Sequence, residues 1–190
     1  EDDPRRDKVR IILEEVGRLE RYLNDTLTFI RPKVPAFRPV DPNSLVRETF
    51  KMMDSEIEAH QIEIHLDLAD NLPEVELDSD QIRQVLLNLF RNALEAMPGG
   101  GTLAVSSGAE NGFVTLSVAD TGIGIEQKNM EKLFTAFFTT KSTGSGLGLA
   151  ISSQIINNHN GTIGLSSRKD EGTVFHITLP VSQQTRREEK

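Results

Sequence analysis

Asn88-Leu89-Phe90-Arg91-Asn92-Ala93-Leu94-Glu95-Ala96 is the stretch on which the reading of this chain turns. Asp78 reads as the N-cap of the helix that carries it, and Gly99-Gly100-Gly101 as its end. Ile82, Val85, Leu86, Leu89 and Ala93 recur at steps of three and four, which predicts one buried stripe. Asn88 and Asn92 lie one helical turn apart and share a face beside that stripe. A buried amide is costly unless something bonds it. Two amides stacked at the border of a core are therefore either structural polar groups that cap one another or ligands for something bound.

The surrounding elements set the class. Asp41 caps an earlier helix with Pro42 at its first position, and Val46, Phe50, Met53 and Ile57 form its buried stripe. Ile62, Ile64, Leu66 and Leu68 alternate with Glu63, His65 and Asp67, the pattern of a half-buried strand, and residues 74–77 make a short strand before Asp78. Residues 102–107 and 113–119 are strands, and Asn111-Gly112 between them signals a hairpin. Residues 126–133 read as a short helix, 134–146 as a polar, glycine-rich loop and 147–158 as a helix. Residues 162–167 and 173–179 form a last hairpin around Asp170-Glu171-Gly172. Helices among antiparallel strands predict an α+β domain, with helices on one face of a mixed, mostly antiparallel sheet.

Upstream, residues 4–31 read as one long helix. Val9, Ile12, Val16, Leu19, Leu23, Thr26 and Ile30 form a heptad seam, which needs partner helices. Arg5, Arg6, Asp7, Lys8, Glu14, Glu15, Arg18, Glu20 and Arg21 occupy its other faces as solvated charge. The prolines of residues 32–41 then forbid a continuing helix and mark a stiff linker. Four segments follow: helix 1–31, linker 32–41, a domain over 42–180 and a charged, frayed tail over 181–190.

Composition removes several classes. The 190 residues carry 21 Lys and Arg against 29 Asp and Glu, a net charge of −8 that argues against nucleic acid as partner. The absence of cysteine excludes disulfides and thiol chemistry and fits a cytoplasmic location, free or as the inner part of a membrane-bound sensor. No apolar run approaches the roughly 20 residues of a membrane span.

Past the second strand of the central hairpin comes Asp120-Thr121-Gly122-Ile123-Gly124-Ile125. Phe134-Thr135-Ala136-Phe137-Phe138-Thr139-Thr140-Lys141 follows, then Gly144-Ser145-Gly146-Leu147-Gly148-Leu149-Ala150. Glycines at 144, 146 and 148 let backbone N–H groups converge on phosphate, and the helix opening at Leu147 presents an N-terminus that favours anions. Neither a dinucleotide-binding nor a Walker loop fits, because no Lys-Ser/Thr follows the glycines and no strand precedes them.

Paired asparagines, an Asp-x-Gly-x-Gly turn, a Phe-rich stretch and a Gly-x-Gly-x-Gly helix entry, in that order, resemble the catalytic ATP-binding domain of sensor histidine kinases, members of the GHKL superfamily. The resemblance covers about residues 40–180 and implies a two-layer α/β sandwich. Phe29-Ile30-Arg31-Pro32 with Pro39-Val40-Asp41 resembles the nitrogen-regulator-like branch. The resemblance implies that Asn92 ligates Mg²⁺, that Asn88 supports metal and phosphates, and that Asp120 accepts from the exocyclic amine of adenine. Gly122 and Gly124 would let the backbone approach the base, and Lys141 and Arg91 are candidate phosphate cations. Residues 4–31 look like the second helix of the dimerisation hairpin, with the phosphoacceptor helix absent.

The implied cofactors are ATP and Mg²⁺. The implied partners are a response-regulator receiver domain and a second copy joined through the hairpin. The implied reaction is transfer of the γ-phosphoryl group to a histidine. His60, His65, His159 and His176 all lack the acidic residue that follows the family's acceptor, so this chain is expected not to phosphorylate itself. Glu95 stands where many histidine kinases have lysine, and Ala136 where they have proline. Gyrase-like and chaperone-like GHKL ATPases have a water-activating glutamate at the place of Asn88, and an amide is a poor base. A GHKL ATPase, a serine kinase of the anti-sigma type, or a nucleotide-sensing module without transfer activity are the alternatives.

Overall fold

The computed structural model describes residues 4–31, 33–141 and 144–183. A long helix, α1 (Pro4–Ile30), leads through an extended segment to a short strand, β1 (Arg38–Val40). Then follow α2 (Pro42–Met52), α3 (Asp54–Ala59), β2 (Ile62–Leu68), β3 (Val75–Leu77), α4 (Ser79–Ala96), β4 (Gly101–Glu110) and β5 (Phe113–Asp120). A single turn, α5 (Gln127–Met130), precedes α6 (Gly148–Asn158), β6 (Thr162–Arg168) and β7 (Gly172–Pro180).

Five strands form one sheet in the order β2-β4-β5-β7-β6. β2 runs parallel to β4, and the other pairs are antiparallel. Alternation along the strands gives the sheet two unlike faces. Leu103, Val105, Leu116, Val118, Phe175 and Ile177 point inward and are buried, whereas Thr115, Ser166 and His176 on the other face are exposed. The stripe read from Val46 to Ile57 as one helix is buried but divided, with Val46 and Phe50 on α2, Met53 at its end and Ile57 on α3. α4 packs its stripe on the inward face, and the Phe50 and Phe90 rings stack with centroids 4.3 Å apart. The domain is therefore the two-layer α+β sandwich expected. Among the described residues no helix is long and apolar enough to cross a membrane.

Several boundaries differ from the sequence reading. α4 ends at Ala96 rather than at the glycines, because Pro98 disfavours a helical Met97, which takes φ −122° and ψ 60°. Gly101 already belongs to β4. The stretch read as linker contains β1, whose Arg38 and Val40 pair with Leu77 and Val75. The helix read over 126–133 is only the turn α5, followed by further turns. Residues 181–183 are tied down: the Gln183 N–H donates to Glu76 Oε2 at 2.8 Å, and the Glu76 N–H donates to the Val181 carbonyl at 3.0 Å. The rest of the expected tail, 184–190, lies outside the described residues, as do the side chains of Arg5, Arg6, Asp7, Glu14, Arg18 and Arg21. On α1 the seam residues Val9, Ile12, Val16, Leu19, Leu23 and Ile30 are all exposed.

The segment entering the domain is docked. The Ala36 N–H donates to Asp78 Oδ2 at 3.0 Å, Gln81 Nε2 donates to the Lys33 carbonyl at 3.4 Å, and the Phe37 ring meets His159 edge-on at 5.3 Å. His159 is fully buried. Its Nε2 accepts the Asp78 N–H at 3.0 Å, so Nδ1 carries the proton and donates to the Ile155 carbonyl at 2.8 Å. Burial holds the imidazole below its ordinary pKa, against the opposing pull of the Ile155 carbonyl and the Asp78 charge. The unfolded chain takes this proton near about pH 6.5 and the folded chain only lower. The stability His159 contributes is thus complete above that pH and lost as pH falls through the folded value. In thermal melts, His159→Gln is expected to start lower than the parent at about pH 7 and to lose less on acidification to about pH 5. Equal losses would show that this proton does not govern the slope.

Candidate functional site

Asp78 places α4 by capping it, with Oδ1 accepting the N–H groups of Asp80 and Gln81, each at 3.1 Å. Burial raises the Asp78 pKa. The N–H groups of Ala36, Gln81 and Asp80 and the Gln81 amide outweigh that and hold it below the ordinary carboxylate value. Ile82, Val85, Leu86, Leu89 and Ala93 are buried as predicted, so α4 is fixed in rotation with Asn88, Asn92 and Glu95 on its other side.

Asn88 faces the first turn of α6. Ser152 Oγ donates to the Gly148 carbonyl at 2.9 Å, so it accepts from Asn88 Nδ2, also at 2.9 Å. A Cβ at Gly148 would lie 2.3 Å from Asn88 Oδ1, so a side chain there would have to displace the Asn88 amide. Asn88 is thus bonded to the structure and lines the cleft at the same time. Asn92 Oδ1 accepts from Lys141 Nζ at 3.2 Å, and the same ammonium is paired with the Glu95 carboxylate. The Arg91 guanidinium is paired with Glu56 of α3 at 3.2 Å.

A cleft of about 600 Å³ opens between α4, α6 and the loop before it, within the range of small-molecule sites. Asn88, Arg91, Asn92, Lys141, Gly144, Gly146 and Gly148 all line it, drawn from three separate stretches of sequence. Asp120, Gly122, Gly124 and Leu147 do not line it. Leu147 is buried in the core at the N-cap of α6, and its N–H donates to Ser145 Oγ.

Asp120 ends β5 in a turn docked on α4. Its Oδ1 accepts the Gly122 N–H at 2.9 Å, and the Ile123 N–H donates to the Ala96 carbonyl at 3.1 Å. Burial pushes the Asp120 carboxyl above its ordinary pKa, and the Gly122 and Thr173 N–H groups and the Lys141 charge offset this only in part. Gly122 and Gly124 have internal reasons to lack a side chain. A Cβ at Gly122 would meet the Ala96 carbonyl oxygen at 2.6 Å, and one at Gly124, where φ is +61°, the Arg168 carbonyl oxygen at 1.9 Å.

Ser152 and Tyr22 are among the contributors that escaped the sequence reading. Ser152 was signalled only by its position four residues after Gly148. Tyr22 of α1 lines the cleft through tertiary placement that no local pattern carries. At the end of α1, the Phe29 ring meets Phe137 edge-on at 6.2 Å, and Phe137 holds a φ of +65°.

Known proteins are similar to this chain over most of its length. Sensor histidine kinase ZraS of Escherichia coli (strain K12) is 34% identical over 173 residues, 91% of this chain and 37% of that protein. Full-length ShkA in complex with AMPPNP shares the fold with a TM-score of 0.82 at 29% identity, over 94% of this chain and 39% of that one. Histidine kinase ThkA in complex with response regulator protein TrrA gives a TM-score of 0.83 at 31% identity, over 98% of this chain and 55% of that one. The chain thus spans well under half the length of the curated relative. Residues 77–183, which include the asparagine helix, the Asp120 turn and the glycine loop, match the model of the histidine kinase-, DNA gyrase B- and HSP90-like ATPases, and the chain belongs to that family.

Proposed function

We propose that this chain is the ATP-binding catalytic part of a two-component sensor histidine kinase, transferring the γ-phosphoryl group of ATP to a histidine supplied from outside the chain. The observation that carries this reading is the convergence of Asn88, Asn92, Lys141 and the bare start of α6 on one cleft. Phosphoryl transfer is mostly positioning and charge neutralisation, and these groups are suited to both. Asp120 would accept the adenine amine. Gly144, Gly146 and Gly148 would turn N–H groups toward phosphate, with Lys141 and Arg91 as cations.

Mg²⁺ fits the cleft because Asn92 Oδ1, a neutral oxygen of the type it prefers, already holds a cation, the Lys141 ammonium. Held by Asn92, the ion would supply neutralisation of phosphate charge. Asn88 supports transfer over hydrolysis, because its amide is spent on Ser152 and provides no base.

The four histidines are engaged elsewhere. His60 bonds the Glu56 carbonyl at 2.8 Å, His65 pairs with Glu63 at 3.0 Å, His176 sits by Ser117 and Ser166, and His159 is buried. The open seam of α1 supports pairing with partner helices in a dimer. A response-regulator receiver domain would take the phosphoryl group onward to an aspartate.

The test is calorimetry with AMPPNP, with and without Mg²⁺, followed by labelling of an added acceptor helix with radioactive ATP. The parent is expected to bind more tightly with Mg²⁺. Asn92→Ala is expected to lose that Mg²⁺ increment, about tenfold or more, the scale of one charge-assisted contact. Steady ATP hydrolysis well above background would favour the ATPase reading. An unlabelled acceptor would favour a nucleotide-sensing module.

A further inference from the structure

Lys141 reaches from its loop back to α4. Its ammonium lies 3.2 Å from Asn92 Oδ1 and is paired with the Glu95 carboxylate. The two acceptors sit three residues apart on α4, so one helix face aims two oxygens at one point. The approach of the lysine is fixed locally, because its own N–H donates to Thr139 Oγ1 at 3.1 Å. An amide oxygen and a carboxylate oxygen converging on a cation are also the hard donors that a divalent ion takes.

We propose that Lys141 is a tethered stand-in for the divalent ion: it occupies the Asn92–Glu95 oxygen pair, and lysine and metal exclude one another there. This rests on the reading that the cleft takes nucleotide with Mg²⁺. Glu95 is then a positioning residue with two successive partners. It parks the lysine when the cleft is free of nucleotide and faces the metal when Lys141 moves to the phosphates. A lysine in place of the Glu95 carboxylate could not hold Lys141. The exchange also couples the two cations, because metal cannot enter the oxygen pair without releasing Lys141 toward the incoming nucleotide.

The test uses Mn²⁺ alone, without nucleotide, and reads paramagnetic broadening of the ¹⁵N-labelled chain. The parent is expected to show little broadening around Asn92. Lys141→Ala is expected to bind Mn²⁺ about tenfold more tightly, with broadening centred on Asn92, and adding Glu95→Gln to that variant should reverse the gain. Lys132→Ala removes the same charge elsewhere and should behave as the parent. Equal tightening by Lys132→Ala, no gain in Lys141→Ala, or a gain indifferent to Glu95→Gln would each overturn the exchange. AMPPNP titration of the parent separates the two ideas. A chain that binds AMPPNP but lacks the Mn²⁺ pattern keeps the nucleotide reading and loses the exchange. A chain with the Mn²⁺ pattern that ignores AMPPNP does the opposite.

Discussion

Asp120→Asn is expected to lower AMPPNP affinity by about ten- to a hundredfold, the worth of a hydrogen bond to a charged group, while leaving the chain folded. The substitution keeps an oxygen to accept the Gly122 N–H and keeps the shape of the side chain. It removes a charge that burial already disfavours. The sign of the pH effect follows from the raised pKa. The protonated form suits the fold better, so the stability Asp120 contributes is present below the unfolded carboxyl pKa of about 3.9 and is lost as pH rises through the folded value. At neutral pH the ionised carboxylate weighs against the fold, and the asparagine variant should melt no lower than the parent. Calorimetry and thermal melts on the same preparation decide the matter. A folded variant that binds AMPPNP like the parent would remove Asp120 from the site.

Gly122→Ala should act through stability. The added methyl would meet the Ala96 carbonyl oxygen at 2.6 Å and the Ala96 Cβ at 2.7 Å, so the turn must lift off the end of α4. That movement strains the Ile123-to-Ala96 hydrogen bond and displaces Asp120. Overpacking of this kind costs about 1–3 kcal/mol, which in a chain of this size lowers Tm by about 2–10 °C. Nucleotide affinity should fall with it. If Gly122 were bare only so that a base could approach, the variant would lose AMPPNP and melt like the parent. The melt therefore distinguishes a packing glycine from a ligand-facing one.

Much of this was legible because local chemistry and tertiary need coincide. Asp78 caps α4 where a capping residue precedes a periodic stripe. Asn111 and Gly112 both take positive φ, 53° and 80°, as the hairpin turn between β4 and β5 requires. The paired asparagines, Lys141 and the glycines at 144, 146 and 148 line one cleft, whereas the Asp120 turn does not. What could not be read depends on distant partners. β1 is three residues with a proline in the middle, and it is a strand only because β3 lies beside it. Glu95 read as a departure from a pattern, and its pairing with Lys141 needed the fold to bring residues 46 apart together. The glycines of the Asp120 turn read as room for a ligand, whereas the neighbour each of them meets is the backbone of the protein itself.

The docking of residues 33–40 has a mechanical consequence. Lys33, Ala36 and Phe37 are gripped by Gln81, Asp78 and His159, and residues 38–40 by β3. The rigid body that carries the cleft therefore begins almost where α1 ends, at Ile30. One residue of an α-helix corresponds to about 100° of rotation, so even a fraction of that step would swing Phe29 off the Phe137 ring. A twist of α1 would then reach the loop that holds Lys141 as torque, with few residues in between to absorb it.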